Sequence, residues 1–364
     1  MDTSFLQANF QKHTLEFKKA SGTSRGVLRI KESWFIVLKN EKTWKWGIGE
    51  CGLLKGLSAD DRPGYEEKLK EVCDNISNLD YWLEEGLLEF PSIQFGLEMA
   101  LRSFHAENKF QLFPSEFTEG KASIPINGLV WMGEKDFMCQ QIEDKLNQGF
   151  DCVKMKIGAI DFETEIALLK NIRKRFPRNE IEIRVDANGA FQPGEDALQK
   201  LNTLAKLNIH SIEQPIRQGQ VEEMEDLCCK TPLPIALDEE LIGIFKKEKK
   251  EELITFIQPQ YIILKPSFVG GFRGSQEWID AASRYDIPWW ITSALESNIG
   301  LNAIAQWTFS LESEMYQGLG TGGLYTNNFP SPLFVKDGTL NTTREGHERR
   351  AMVWQQGEVK FRRG

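Results

Sequence analysis

Residues 150–188 read FDCVKMKIGAIDFETEIALLKNIRKRFPRNEIEIRVDAN, and they carry one complete strand–helix–strand unit. A short apolar run ends at Lys156, an amphipathic segment fills residues 162–176, and a second apolar run ends at Asp186. Helical periodicity between two short β-rich runs is the pattern of a βαβ unit. The rhythm continues in both directions. Apolar runs end at Asn127, Lys156, Asp186, Glu213, Asp238, Lys265 and Thr292, with another near Gly318, in steps of about 25–30 residues. Amphipathic stretches such as 194–207 and 272–285 lie between most of them. Eight such units predict an α/β fold of the closed (β/α)8 barrel type. An open doubly wound sheet alternates in the same way but usually has fewer units.

The chain ahead of the barrel reads differently. Residues 26–39 alternate and are rich in Val, Ile and Phe, and residues 43–50 follow across Asn40-Glu41-Lys42, which predicts a hairpin. Residues 5–17 supply a third strand. Helical patterns follow at 65–75 and 92–107, with Ser92 as the expected N-cap. The domains are therefore a small α+β domain over 1–120, the barrel over 121–328, and a C-terminal segment over 329–364. Residues 352–361 of that segment are expected to rejoin the first domain.

Composition narrows the function. The 364 residues include 44 Lys+Arg and 53 Asp+Glu, a net charge of −9. An acidic surface repels a phosphate backbone, so nucleic acid is not an expected partner. No apolar run approaches the roughly 18 residues of a membrane span. The start, Met-Asp-Thr-Ser-Phe, has no signal-peptide pattern, so the expected location is the cytoplasm. The six cysteines include no C-x-x-C pair and read as reduced thiols, and the four histidines lie far apart. A metal in this chain is expected to meet oxygen ligands.

Such ligands stand at the strand ends. Strand two ends in Lys154-Met155-Lys156 and strand three in Arg184-Val185-Asp186-Ala187-Asn188. Strands four, five and six end in Glu213-Gln214-Pro215, Asp238-Glu239-Glu240 and Lys265-Pro266-Ser267. Barrel active sites form at this face. Charges there cost several kcal/mol each unless paired or metal-bound. Asp186, Glu213 and Asp238 on consecutive strands make a hard-oxygen pocket suited to Mg²⁺. The lysines of strands two and six face each other across the barrel axis, with the carboxylates along one arc between them.

In this order and spacing, K-x-K, D-A-N, E-Q-P, D-E and K-P-S resemble the enolase superfamily, muconate-lactonizing subgroup. Lys265-Pro-Ser-Phe-Val-Gly-Gly and Ser293-Ala-Leu-Glu-Ser-Asn-Ile-Gly resemble, more narrowly, its o-succinylbenzoate synthase family. The resemblance implies Lys156 as base, Lys154 as the neighbour lowering its proton affinity, and Lys265 as the charge on the opposite face. It implies Mg²⁺, replaceable by Mn²⁺, on Asp186, Glu213 and Asp238, and a small carboxylate substrate positioned by Arg184, Asn188, Ser293, Leu295 and Glu296. Residues 47–50 and 53–58 are expected to form a flexible capping loop over the site. The implied chemistry is removal of a proton next to a carboxylate, followed by loss of a β-hydroxyl from the same face. N-acylamino-acid racemase and dipeptide epimerase are alternatives on the same fold. The Asp-x-Asp that epimerases carry after strand seven is replaced here by Ser293-Ala-Leu-Glu-Ser. A catalytically silent barrel is a third alternative, disfavoured by the two opposed lysines.

Overall fold

Trp34–Leu38 is an unbroken apolar run inside a strand, a pattern that requires cover on both faces. In the computed structural model, Trp34, Ile36 and Leu38 face a helical layer, and Phe35 and Val37 face the barrel. The structure describes residues 5–23, 26–131, 135–158, 160–343, 352–355 and 358–361. The run belongs to β2 (Gly26–Asn40), which pairs antiparallel with β1 (Leu6–Thr23) and with β3 (Trp46–Cys51). The expected three-stranded meander is therefore present, with Phe35 opposite both Gln11 and Glu50.

The expected helices form at Tyr65–Asp74 and Pro91–His105. Ser92 is not the N-cap of the second. That helix starts one residue earlier, on Pro91, where the missing N–H costs nothing. Asp60 supplies the cap from outside the helix, accepting from Ser92 N at 2.9 Å and Ser92 Oγ at 2.6 Å.

The expectation of a flexible loop at 47–50 is overturned. Gly47 and Gly49 lie in β3, directly under the Pro91–His105 helix. A Cβ on Gly49 would meet Gly96 O at 2.0 Å. These glycines serve close backbone contact, and residues 53–58 alone form the loop.

β4 (Ile124–Pro125) leads into the barrel strands β5 (Gly128–Val130), β6 (Cys152–Lys156), β7 (Glu182–Asp186), β8 (Ser211–Glu213), β9 (Ile235–Leu237), β10 (Tyr261–Leu264) and β11 (Trp289–Ile291). All seven from β5 onward are parallel and pair in sequence order. The eighth position, expected near Gly318, is filled by the bridges Thr292↔Gly318 and Ile126↔Gln317, which close the ring between β11 and β5. Outward residues such as Val153, Val185, Ile212, Leu237 and Leu264 join the core against the surrounding helices. The polar residues between them point inward.

The tail touches the N-terminal sheet through Phe329, whose ring lies 5.1 Å from Phe35. Its strands do not extend that sheet. β12 (Leu333–Lys336) and β13 (Thr339–Thr342) form a hairpin that pairs with β4. β14 (Met352–Gln355) and β15 (Glu358–Phe361) pair with each other. No described helix is long and apolar enough to cross a membrane.

Candidate active site

The parallel register places Lys156, Asp186 and Glu213 side by side at the C-terminal ends of β6, β7 and β8. Asp238 and Lys265 immediately follow β9 and β10. The three carboxylates are buried, and all three lysines turn toward them. Lys154 Nζ lies 2.7 Å from Glu213 Oε2 and 3.6 Å from Asp186 Oδ2. Lys156 Nζ donates to Asp186 Oδ2 at 2.9 Å and to Asn188 Oδ1 at 2.6 Å. Lys265 Nζ pairs with Asp238 Oδ2.

Burial and pairing oppose each other in this cluster. Burial acts to raise the Asp186 carboxyl, but Lys156 and Lys154 outweigh it and hold the group well below the usual carboxylate range. Burial acts to lower Lys154, yet Glu213 and Asp186 raise it, so it remains a fixed cation beside Lys156. Lys265 is raised in the same way by Asp238 and Glu213 against its burial. Asp238 is pushed up by burial, opposed by Lys265, with Glu239 and Glu213 adding like-charge repulsion.

Among the described residues, no three carboxylates converge closely enough to chelate an ion as they stand. The lysine ammonium groups stand among them instead. The donor set still fits a hard divalent cation. The donor atoms are all oxygen, they are crowded and buried, and Glu213 Oε1 meets no hydrogen-bond donor among the described residues.

Above this layer lies a cavity of about 400 Å³. Its apolar lining includes Leu28, Leu54 and Leu57 from the first domain and Trp131, Phe268 and Leu295 from the barrel. Leu54 and Leu57 sit in the 53–58 loop, so that part of the expected cap does reach the site. Cap and barrel thus form one chamber with charges at the bottom and an apolar wall.

The expected substrate-contacting residues divide. Asn188 belongs to the site. Its left-handed backbone (φ 44°) lets its side chain accept from Lys156 while Nδ2 donates to Glu239 Oε1 at 3.0 Å. Ser293 and Leu295 line the cavity. Ser293 is fixed by Thr321 at 2.6 Å, and Leu295 (φ 61°) by Tyr325 OH donating to its carbonyl at 2.6 Å.

Arg184 and Glu296 do not line it. Arg184 is buried in the barrel interior on Glu182 Oε1 (2.6 Å) and Tyr316 O (2.9 Å), its guanidinium 4.2 Å from the Trp290 ring centroid. Glu182, two residues back on the same inward face, draws it away from the mouth. Glu296 is fully buried and spends its carboxylate on Ala294 N at 2.7 Å and Ser267 Oγ at 2.5 Å. It shapes the turn that carries Leu295.

Sequence reasoning missed three contributors. Glu239 orients Asn188, and its place beside Asp238 was the available signal. Leu28 reaches the cavity from the hairpin, where alternation alone gives no hint. Glu50 joins the two domains, as described below.

A family model described as "Enolase C-terminal domain-like" matches residues 138–347. The chain is 45% identical over 369 aligned residues to an o-succinylbenzoate synthase of Desulfotalea psychrophila, covering 93% of this chain and 99% of that protein. The crystal structure of MenC from Desulfotalea psychrophila LSv54 superposes with a TM-score of 0.84 at 42% identity, over 93% of this chain and 99% of that one. A muconate lactonizing enzyme from Pseudomonas fluorescens, complexed with muconolactone, shares the fold at a TM-score of 0.78 and 20% identity, over 92% and 93% of the two chains.

Proposed function

The chain belongs to the enolase superfamily, and on that premise we infer its activity: it is an o-succinylbenzoate synthase, a hydro-lyase of menaquinone biosynthesis. The substrate is 2-succinyl-6-hydroxy-2,4-cyclohexadiene-1-carboxylate and the product 2-succinylbenzoate. The observation carrying the site assignment is that Lys156 and Lys265 flank three buried carboxylates on the consecutive strand ends between them.

Asp186, Glu213 and Asp238 hold Mg²⁺, for which Mn²⁺ can substitute. When bound, the ion supplies positive charge at the substrate carboxylate, where proton removal places a second negative charge. Lys156 Nζ takes the proton from the carbon next to the carboxylate. The C–O bond to the β-hydroxyl then breaks, and Lys156 returns its proton to that oxygen, which leaves as water. The ring becomes aromatic. Lys154 contributes a fixed positive charge beside the base, a role supported by its pairing with two buried carboxylates. Lys265 holds positive charge on the opposite side of the reacting carbon. The Leu54 and Leu57 side chains keep water from that carbon while it is an anion. Asn188, Ser293 and Leu295 shape the space for the ring and the succinyl arm.

The partner is this small dianionic acid, and the net charge of −9 argues against nucleic acid. The proposed location is the cytoplasm.

The deciding experiment follows ultraviolet absorbance as the cyclohexadiene is consumed with Mg²⁺, and compares it with racemisation of N-succinyl amino acids. Dehydration is expected to be far faster by kcat/KM. Faster racemisation would overturn the substrate assignment and leave the fold untouched.

A further inference from the structure

The buried carboxylate of Glu50 belongs to neither the metal layer nor the cavity. Glu50 on β3 is fully buried at the junction of the two domains. Its Oε1 accepts from Ser297 N at 2.9 Å and from Ser33 Oγ at 2.8 Å. Its Oε2 accepts from Ser297 Oγ at 2.5 Å and Gly300 N at 2.9 Å. Ser297 is the N-cap of the Asn298–Ser310 helix. A first-domain anion therefore satisfies the first turn of a barrel helix. The seat is built to size, since a Cβ on Gly300 would lie 2.8 Å from Glu50 Oε2. Buried Lys31 donates to Ser33 at 3.0 Å and extends the chain of contacts into the hairpin.

The contacts also run toward the chemistry. Glu296, next to Ser297, holds the turn of Ala294 and Leu295 and accepts from Ser267, two residues beyond Lys265. Gly52, two residues beyond Glu50, closes on the same pair. A Cβ there would meet Ser267 Oγ at 2.6 Å and Glu296 Cγ at 2.9 Å.

We propose that Glu50 is a positioning residue for the reaction: by seating the Asn298–Ser310 helix against the first domain, it fixes the Leu295 turn and, through Glu296 and Ser267, the Lys265 strand end. The kinetic part rests on the dehydratase reading, whereas the structural part does not.

The test pairs Glu50→Gln with the milder Ser297→Ala and their double variant, assayed well below their unfolding temperatures. Glu50→Gln is expected to lower kcat at least tenfold while KM rises less than threefold, because Lys265 is displaced more than binding surface is lost. The double variant should be no worse than Glu50→Gln, since both act through one contact. Peptide-resolved amide exchange, which needs no substrate, should quicken at 293–300 and 265–269 in both single variants. If kcat stays within twofold while only the melting temperature falls, Glu50 is a structural tether and the proposal fails. Unchanged exchange in those segments also overturns it. If the wild type itself does not dehydrate, the functional reading fails, and the exchange result alone decides the role of Glu50.

Discussion

Lys156 and Lys265 are tied to different carboxylates at the two ends of one arc of the barrel mouth, so their roles separate experimentally. Replacing Lys156 by Ala should lower dehydration by about 10²–10⁴-fold, the usual contribution of a positioned base. It should also stop solvent-deuterium exchange at the α-carbon of a non-eliminating analogue. Persistent exchange in that variant, with loss only in Lys265→Ala, would reverse the assignment. Lys265→Arg should retain a measurable fraction of dehydration, because guanidinium keeps the charge beside Asp238 although it fits less well. Any racemase activity should disappear in it, since guanidinium is too weak an acid to deliver a proton. The charged positions Lys154, Lys156, Asp186, Glu213, Asp238 and Lys265 were readable in sequence because strand periodicity and unusual chemistry coincide there. Arg184 was misread for an equally physical reason. Period 2 places it on the inward face but does not say whether a long side chain turns to the mouth or the floor. Its direction is set by Glu182, Tyr316 and Trp290, the last two more than a hundred residues away.

Elements were legible where local pattern decides them and obscure where a distant element does. Residues 26–50 announced a hairpin, yet Gly47-x-Gly49 suggested mobility. The same glycines in fact admit the Pro91–His105 helix against β3, with a Gly49 Cβ position 2.0 Å from Gly96 O. That helix also draws its cap from Asp60, thirty-two residues earlier. Ser92 Oγ donates to Asp60, and Tyr65 OH is placed to donate to Ser92 at 2.7 Å. Asp60 Oδ1 has no hydrogen-bond partner among the described residues, and burial, only partly offset by the Ser92 bonds, raises the carboxyl to about 6. A folded-state value above the unfolded one, about 3.9, means the native state binds the proton more tightly. Stability contributed by this group is therefore full below pH ~4 and is lost as pH rises to ~6, by about 3 kcal/mol in total. Asp60→Asn keeps one acceptor for Ser92 and removes the buried charge. Its urea midpoint relative to wild type should rise between pH 4 and 6 and level off above. A pH-independent difference would show that Asp60 is not carrying this penalty.

At the scale of the molecule, the barrel was legible from its repeat, whereas the union of the domains was not. No local pattern announces that Phe35, Val37 and Ile48 join the barrel core, or that Glu50 caps a helix 250 residues away. Such contacts have no sequence period, because they depend on how two finished units meet. The consequence is a chamber whose walls come from both domains, over a charged floor balanced within the barrel. That balance bears on metal removal. Asp186, Glu213 and Asp238 each have a lysine within ion-pair distance, so losing the cation leaves no uncompensated buried anion of the kind that unfolds proteins. Chelation should therefore abolish dehydration while the native far-ultraviolet circular dichroism persists. Restored Mg²⁺ at about 100 times its dissociation constant should add about 2.7 kcal/mol, roughly 3–4 °C in melting temperature for a chain of this size. Asp238→Asn should lose both the activity and most of the metal-dependent shift, while the chelated wild type and chelated variant melt within a few degrees of each other. Full activity in a verified metal-free sample would remove the cation from the mechanism. Unfolding on chelation would instead show that the lysines do not balance the carboxylates.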